Sequence, residues 1–283
     1  MDLAPEAAAK ALLYASLLLA IGANATRWLL APRLLSSARN DSSEFAVALA
    51  RICALAALVM LGAQAARAVA HTASAFGWSD ALAWDQFSVI ALESRWGTSW
   101  RIQVAAAVFL LVATLFVRVH QLGGWILTSI AAVACAVSMP LLGHAATSPF
   151  AMFLHSAHIL GAGVWLGTLG CLLLLRRHES TNLLRHFAPF ALAGAAMVVG
   201  AGSIAAIEYV VSVDQLWTTP YGRALVVKLC CFAGVVFCGY RNWSRWSVLP
   251  AGAVSDRRTE ILESALALAI VLITSVLTEL PHP

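Results

Sequence analysis

Apolar runs of about 20 residues recur along the whole chain, and no other feature restricts its fold so strongly. At 1.5 Å per residue, such a run crosses the ~30 Å hydrocarbon core of a bilayer as a helix. No water is present there to serve exposed N–H and C=O groups, so only helices and closed barrels can span. The runs lack the weak alternation of a barrel strand. The chain therefore reads as an all-α polytopic membrane protein with about eight transmembrane helices. They are expected at 8–34, 45–69, 100–119, 124–143, 150–175, 187–210, 223–242 and 259–280. Composition agrees: 11% of the 283 residues are charged, against roughly 25% in soluble proteins.

Loop charges orient the spans. One set of loops carries Arg33, Arg39, Arg118, Arg176, Arg177, Arg185, Arg241, Arg245, Arg257 and Arg258. The opposite loops, "GHAATSPF" and "VVSVDQLWTTPYG", carry no Lys or Arg, and segment 70–99 carries only Arg95. The basic set is cytoplasmic by the positive-inside rule, so both termini are expected in the periplasm. The net charge of +4 thus reports topology and does not imply nucleic acid; the partner implied is the lipid bilayer. Segment 70–99 reads as a long outer loop lying on the membrane surface, with Trp78, Trp84, Trp96 and Trp100 as interfacial anchors. "MDLAPEAAAK" lacks a basic n-region, so no cleaved signal peptide is expected.

Two halves are expected: 1–143, with the outer loop, and 144–283. A short echo suggests a parallel 4+4 repeat. "LESRWGTSWRIQVAAAVFLLV" and "LWTTPYGRALVVKLCCFAGVV" both set an aromatic-Gly pair, Trp96-Gly97 and Tyr221-Gly222, just before a span of the same direction. All six cysteines fall in apolar runs, which excludes a secreted disulfide framework.

The chemistry concentrates in "GHAATSPFAMFLHSAHILGAGVWLG". Ser148 reads as an N-cap and Pro149 as the first helical residue. His155 and His158 then sit about 9 and 13 Å along the helix and about 60° apart around it. Both fall within the outer leaflet, where polar side chains are costly and tend to mark sites. Met152 extends the stripe outward by one turn. Met139 and His144 end the preceding span at the same level. Imidazole and thioether together suit copper, as Cu(I) or Cu(II), better than Mg, Ca or Zn. The candidate metal set is Met139, His144, Met152, His155 and His158. Span 4, through Met139 and His144, is the first choice to complete the site, and span 6, through Glu208, the second.

Other groups read as supporting or pathway residues. Glu208 and Lys228 enter from the same outer side and could pair. Glu263 enters span 8 from the cytoplasmic side, as an exit site or a partner of Arg257 or Arg258. Cys135, Cys230 and Cys231 lie deeper and could relay Cu(I), although buried thiols usually only pack. His120, His178 and His186 read as solvated interfacial residues, and His71 and His282 as exposed. Gly163-x-x-x-Gly167 and the glycines at 194, 200 and 202 permit close helix approach.

"GHA", "HSAHILGAGVWLGTL", "RHFAPFAL", "TTPYGRALVVKL", "YRN" and the closing "EILESALALAIVLITSVLTELPHP" follow in one order over 140–283. Together they resemble the copper resistance protein D (CopD) family, which the N-terminal half resembles in span count and in "RWGTSWRIQ". The resemblance implies a bacterial inner-membrane protein that moves copper toward the cytoplasm, together with a periplasmic copper-binding partner of the CopC type. It carries the motif histidines onto His155, His158 and His144. No G-x-x-x-x-G-K-[ST] occurs, so a primary pump is not expected, nor is enzymatic activity. Two other classes stay open. One is a haem-binding redox protein, with His144 or His71 facing His155 or His158. The other is a copper sensor or assembly partner that moves no metal.

Overall fold

The computed structural model describes residues 4–31, 39–175, 181–209, 212–248 and 257–280, with His144 and Glu208 described by their backbone alone. Every regular element among them is helical. Helix α1 (Ala4–Ala25) runs on through a π turn at Thr26–Leu30. Then come α2 (Arg39–Phe76), a short α3 (Trp84–Ser88) with a π turn at Val89–Glu93, α4 (Arg95–Phe116) and α5 (Gln121–Ser138). Two 3-10 turns, Met139–Leu142 and His144–Thr147, lead into α6 (Pro149–Ala162), a π turn at Gly163–Gly167 and α7 (Thr168–Leu174). The chain ends with α8 (Thr181–Tyr209), a short α9 (Gln215–Thr218), α10 (Pro220–Val248) and α11 (Arg257–Leu277). Among the described residues, seven helical stretches are long and apolar enough to cross a membrane, and Ile261–Leu277 is a shorter apolar eighth.

Side chains specify where these helices begin. Ser94 caps α4 by accepting from Gly97 N at 2.8 Å, and Ser148 caps α6 by accepting from Ala151 N at 3.3 Å. His120, expected as a solvated side chain, is exposed and also caps α5: its Nδ1 accepts from Gly123 N at 3.0 Å. The Thr219 hydroxyl accepts from Gly222 N at 2.9 Å at the start of α10. The two aromatic-Gly pairs therefore share one construction. In each, a hydroxyl three residues before the glycine caps the helix and donates back one turn, Ser94 to Ile90 O and Thr219 to Gln215 O. In each, a Cβ on the glycine would overlap the backbone of the short helical segment before it.

Segment 70–99 departs from the expected loop. Helix α2 continues to Phe76, because neither Gly nor Pro interrupts it after Gly62. Gly77 ends it with φ at +94°, the left-handed conformation of a helix C-cap, and its N–H reaches Ala73 O at 2.8 Å. Helix α1 likewise starts four residues earlier than expected, which brings Glu6 into it.

The span Pro149–Leu174 is central. Its π turn lies on α1: a Cβ at Gly167 would overlap the Leu18 carbonyl, and one at Gly22 would overlap the backbone of Gly167. Its other side crosses α8 at Gly161 and Gly194, where a Cβ on Gly194 would stand 2.8 Å from Gly161 O. The expected close helix approach is met at Gly163, Gly167 and Gly194, whereas a Cβ on Gly200 would meet nothing within 4 Å. One buried core gathers Leu13, Leu17, Leu49, Met60, Leu110 and Trp125, and a second gathers Leu30, Trp165, Leu169, Leu172, Phe187 and Val235. Large apolar side chains such as Leu55, Leu58, Val112, Ile130, Leu192 and Phe237 point outward, as lipid-facing residues do.

Candidate functional site

Alternating helix directions bring the start of α1, α4, α6 and α10 and the end of α2, α5, α8 and α11 to one end of the bundle. The histidine pair sits there, on α6. His155 and His158 are both half-buried, as is Met152 one turn before them. The His158 ring enters α8: its Nδ1 lies 3.1 Å from Val198 O. A carbonyl can only accept, so Nδ1 carries the hydrogen and the lone pair resides on Nε2. Metal-binding histidines are commonly oriented this way, with the second ring nitrogen held by a carbonyl. Gly202, one turn beyond Val198, makes room for the ring: a Cβ there would stand 3.0 Å from His158 Cε1. His155 and Lys228 are within electrostatic reach of the same ring.

The hydrogen-bond partner of His158 thus comes from α8, through the Val198 carbonyl. Met139 is buried at the end of α5, and its carbonyl accepts from Gln103 Nε2 at 3.3 Å. His144 opens the second 3-10 turn, next to α6 in the chain, and its side chain lies outside the described residues. The same holds for Glu208, so its pairing with Lys228 is not described. Among the described residues, no three His, Cys, Asp or Glu side chains gather as a ligand set. Among the described residues, a metal at His155 and His158 would draw its further ligands from thioether sulfur, backbone oxygen or water.

The pathway residues separate. Glu263 is buried on α11 and accepts from Asn242 Nδ2 of α10 at 2.7 Å, with Gly239 facing it. One of its hydrogen-bond partners is thus the asparagine of "YRN". Cys230 is exposed on α10 and Cys231 half-buried, since adjacent helical residues stand 100° apart and cannot both face inward. This removes Cys230 from any interior relay. Cys135 is buried in the core with Cys53 and Cys171. His71 is not a free surface residue: its Nδ1 lies 3.5 Å from Glu6 Oε1, and its ring stacks on Trp96 at 4.3 Å. A haem would lose one of its two expected facing ligands to that contact.

The same end holds a second polar cluster that the sequence reading missed. Lys10 Nζ lies 2.6 Å from Glu279 Oε1 and 3.4 Å from both Thr278 O and Thr278 Oγ1. Arg67 is buried, donates to Gln103 Oε1 at 3.4 Å and stands over the Trp96 ring. Gln64 donates to the same Gln103 oxygen at 2.9 Å and accepts from Trp100 Nε1 at its backbone carbonyl. Gln103 in turn donates to Ser138 O at 2.9 Å, serving carbonyls at the end of α5. Trp96 and Trp100, read as interfacial anchors, are half-buried in this cluster, whereas Trp78 and Trp84 are exposed. The signal was available: Glu6, Lys10 and Tyr14 recur at i, i+4, i+8, and Gln64, Arg67 and His71 at i, i+3, i+7, each one helix face.

Residues 1–150 match the family described as "Copper resistance protein D-like, N-terminal domain". Residues 181–277 match the family described as "Copper resistance protein D". The chain is also similar to a protein of Bacillus subtilis (strain 168) named "Copper transport protein CutJ", 26% identical over 224 residues. That match covers 73% of this chain and 41% of the relative, so the chain spans less than half the relative's length. No solved structure matches. With one half matched by the N-terminal description and most of the other by the second, this multi-pass membrane protein belongs to the copper resistance protein D family.

Proposed function

We propose that this chain binds copper at His155 and His158 and carries it across the bacterial inner membrane, from periplasm to cytoplasm. The observation that carries the reading is the His158 ring. Its Nδ1–H is held by Val198 O and its edge lies in the space left by Gly202, so Nε2 presents a fixed lone pair inside the bundle. Family membership and the name of the Bacillus relative support copper as the cargo. Loop charge supports a periplasmic histidine end and periplasmic termini, because the arginine-rich loops are at the other end. Met139, Met152 and His144 would receive the ion first. Lys228, near His158, limits how much positive charge the site tolerates, which favours Cu(I) over Cu(II). The role is transport and not catalysis, and a periplasmic protein of the CopC type would deliver the metal.

Copper titration of the purified protein, followed by uptake into sealed proteoliposomes, tests this. Wild type should bind about one equivalent at this site and fill the vesicles. The double variant His155→Ala/His158→Ala should lose both binding and uptake. Full binding in that variant would sink the site assignment. Binding without uptake would move the chain to the sensor or assembly class, and a Soret band in the purified protein would move it to the haem class.

A further inference from the structure

The polar cluster beside the histidine pair is too costly to be mere filler. Lys10 and Arg67 sit in apolar helices and Glu279 in the turn after α11, with 8% and 12% of the Lys10 and Glu279 side chains exposed. Ionisable groups at such depth are expensive and mark ion or proton pathways. A buried pair is also weak as a source of stability, since apolar residues of similar volume often serve as well.

The cluster's charge depends on one group. From α1 it takes Glu6, Lys10 and Tyr14, and from α2 Arg67 and His71. From α4 it takes the uncharged Trp96, Trp100 and Gln103, and from the turn after α11 Thr278 and Glu279. Two carboxylates balance Lys10 and Arg67, so with a neutral imidazole these described groups sum to zero. Histidine is the residue type that gains charge near neutrality. A proton on His71 would turn the cluster net positive at the end of the bundle where copper is held to enter. Nδ1 faces the Glu6 carboxylate at 3.5 Å, which is served by the ring's hydrogen. A proton from the outer water then adds at Nε2, and Glu6 holds the resulting imidazolium. Gln103 links the cluster to the Ser138 and Met139 carbonyls, at the turn that leads to His144.

We infer that this cluster is a proton-binding site, centred on His71 and Glu6, whose occupancy opposes copper entry. The second clause rests on the transport reading above; the first does not. The stacked Trp96 ring supplies a reporter, because an imidazolium in contact with indole quenches its emission. In purified full-length protein, acidification of the medium should lower tryptophan emission in one single-proton transition. His71→Gln and Trp96→Phe should each lose it. A transition unchanged in His71→Gln, or none in wild type, overturns the site. In proteoliposomes, wild-type uptake should slow several-fold on acidification of the outer medium, and uptake by His71→Gln should stop responding to pH. Acid inhibition persisting in His71→Gln overturns the effect on entry. If wild type takes up no copper at any pH, the transport reading falls, and the fluorescence transition alone still upholds or overturns the proton site.

Discussion

At the scale of single residues, one glycine decides what His158 can do. Gly202 leaves the space into which the imidazole turns to reach Val198 O. Replacing it by Leu would push the ring out and free its orientation. Loss of such an orienting partner typically weakens metal affinity about 10–100-fold. Gly202→Leu is therefore expected to lower copper affinity by at least tenfold in a competition titration, with helical content by circular dichroism unchanged. An unaltered affinity would mean that Val198 does not orient the ligand. The histidine pair was legible in the sequence because two imidazoles in an apolar run are conspicuous. Val198 was not, because a backbone carbonyl leaves no trace in the choice of side chain. Lys10 shows the converse. It is visible as a charge, yet its meaning depends on Glu279, which lies almost the whole chain away. Lys10→Ala should leave the largely covered Glu279 carboxylate without its ammonium and destabilise the protein by about 3 kcal/mol. Lys10→Met combined with Glu279→Leu should recover most of that in a denaturation series, and no recovery would show that the pair is not the stabilising unit.

At the scale of helices, edges were the hardest part to read. A hydropathy window stops at the first charged or polar residue, so Glu6 at one end and His71 at the other fell outside the expected spans. The folded helices run on through them, because their polar groups find partners on neighbouring helices rather than in water. The end of α2 was written in Gly77, whose positive φ no residue with a Cβ adopts without strain. The start of α6 was read correctly from Ser148 and Pro149, since a cap is a local hydrogen bond needing no distant partner. Gly163-x-x-x-Gly167 was legible as a close-approach face, but not which helix approaches. It is α1, so Gly167→Val should force the valine into the Leu18 carbonyl. Backbone cannot yield as a flexible side chain can, and a loss of about 1–3 kcal/mol is expected. A thermal midpoint equal to wild type would show that α1 does not pack there in the membrane.

At the scale of the whole molecule, α1 joins the two halves. It packs against α2 and α5 on one side and against the span Pro149–Leu174 and α11 on the other. The histidine site and the ionisable cluster consequently share one end of the bundle without sharing residues. An even number of crossings is expected to leave both termini on that end's side of the membrane, although the last apolar stretch, Ile261–Leu277, is short. Alkaline phosphatase fused after Pro283 should be active in cells, and a green fluorescent protein fused there should be dark. The reverse pattern would mean that the last helix does not cross.

By itself the sequence determined that the chain is a helical membrane bundle, roughly where it crosses, which loops are basic and that two histidines lie in one leaflet. Those properties follow from hydrophobicity and local hydrogen bonding, which act along the chain. The tertiary structure alone decided that His158 is held by α8, that Lys10 meets Glu279 and that His71 lies between Glu6 and Trp96. These are contacts between distant helices. In hydrocarbon a buried polar group must find its partner wherever packing brings one within reach, and a linear pattern of residues does not record that distance.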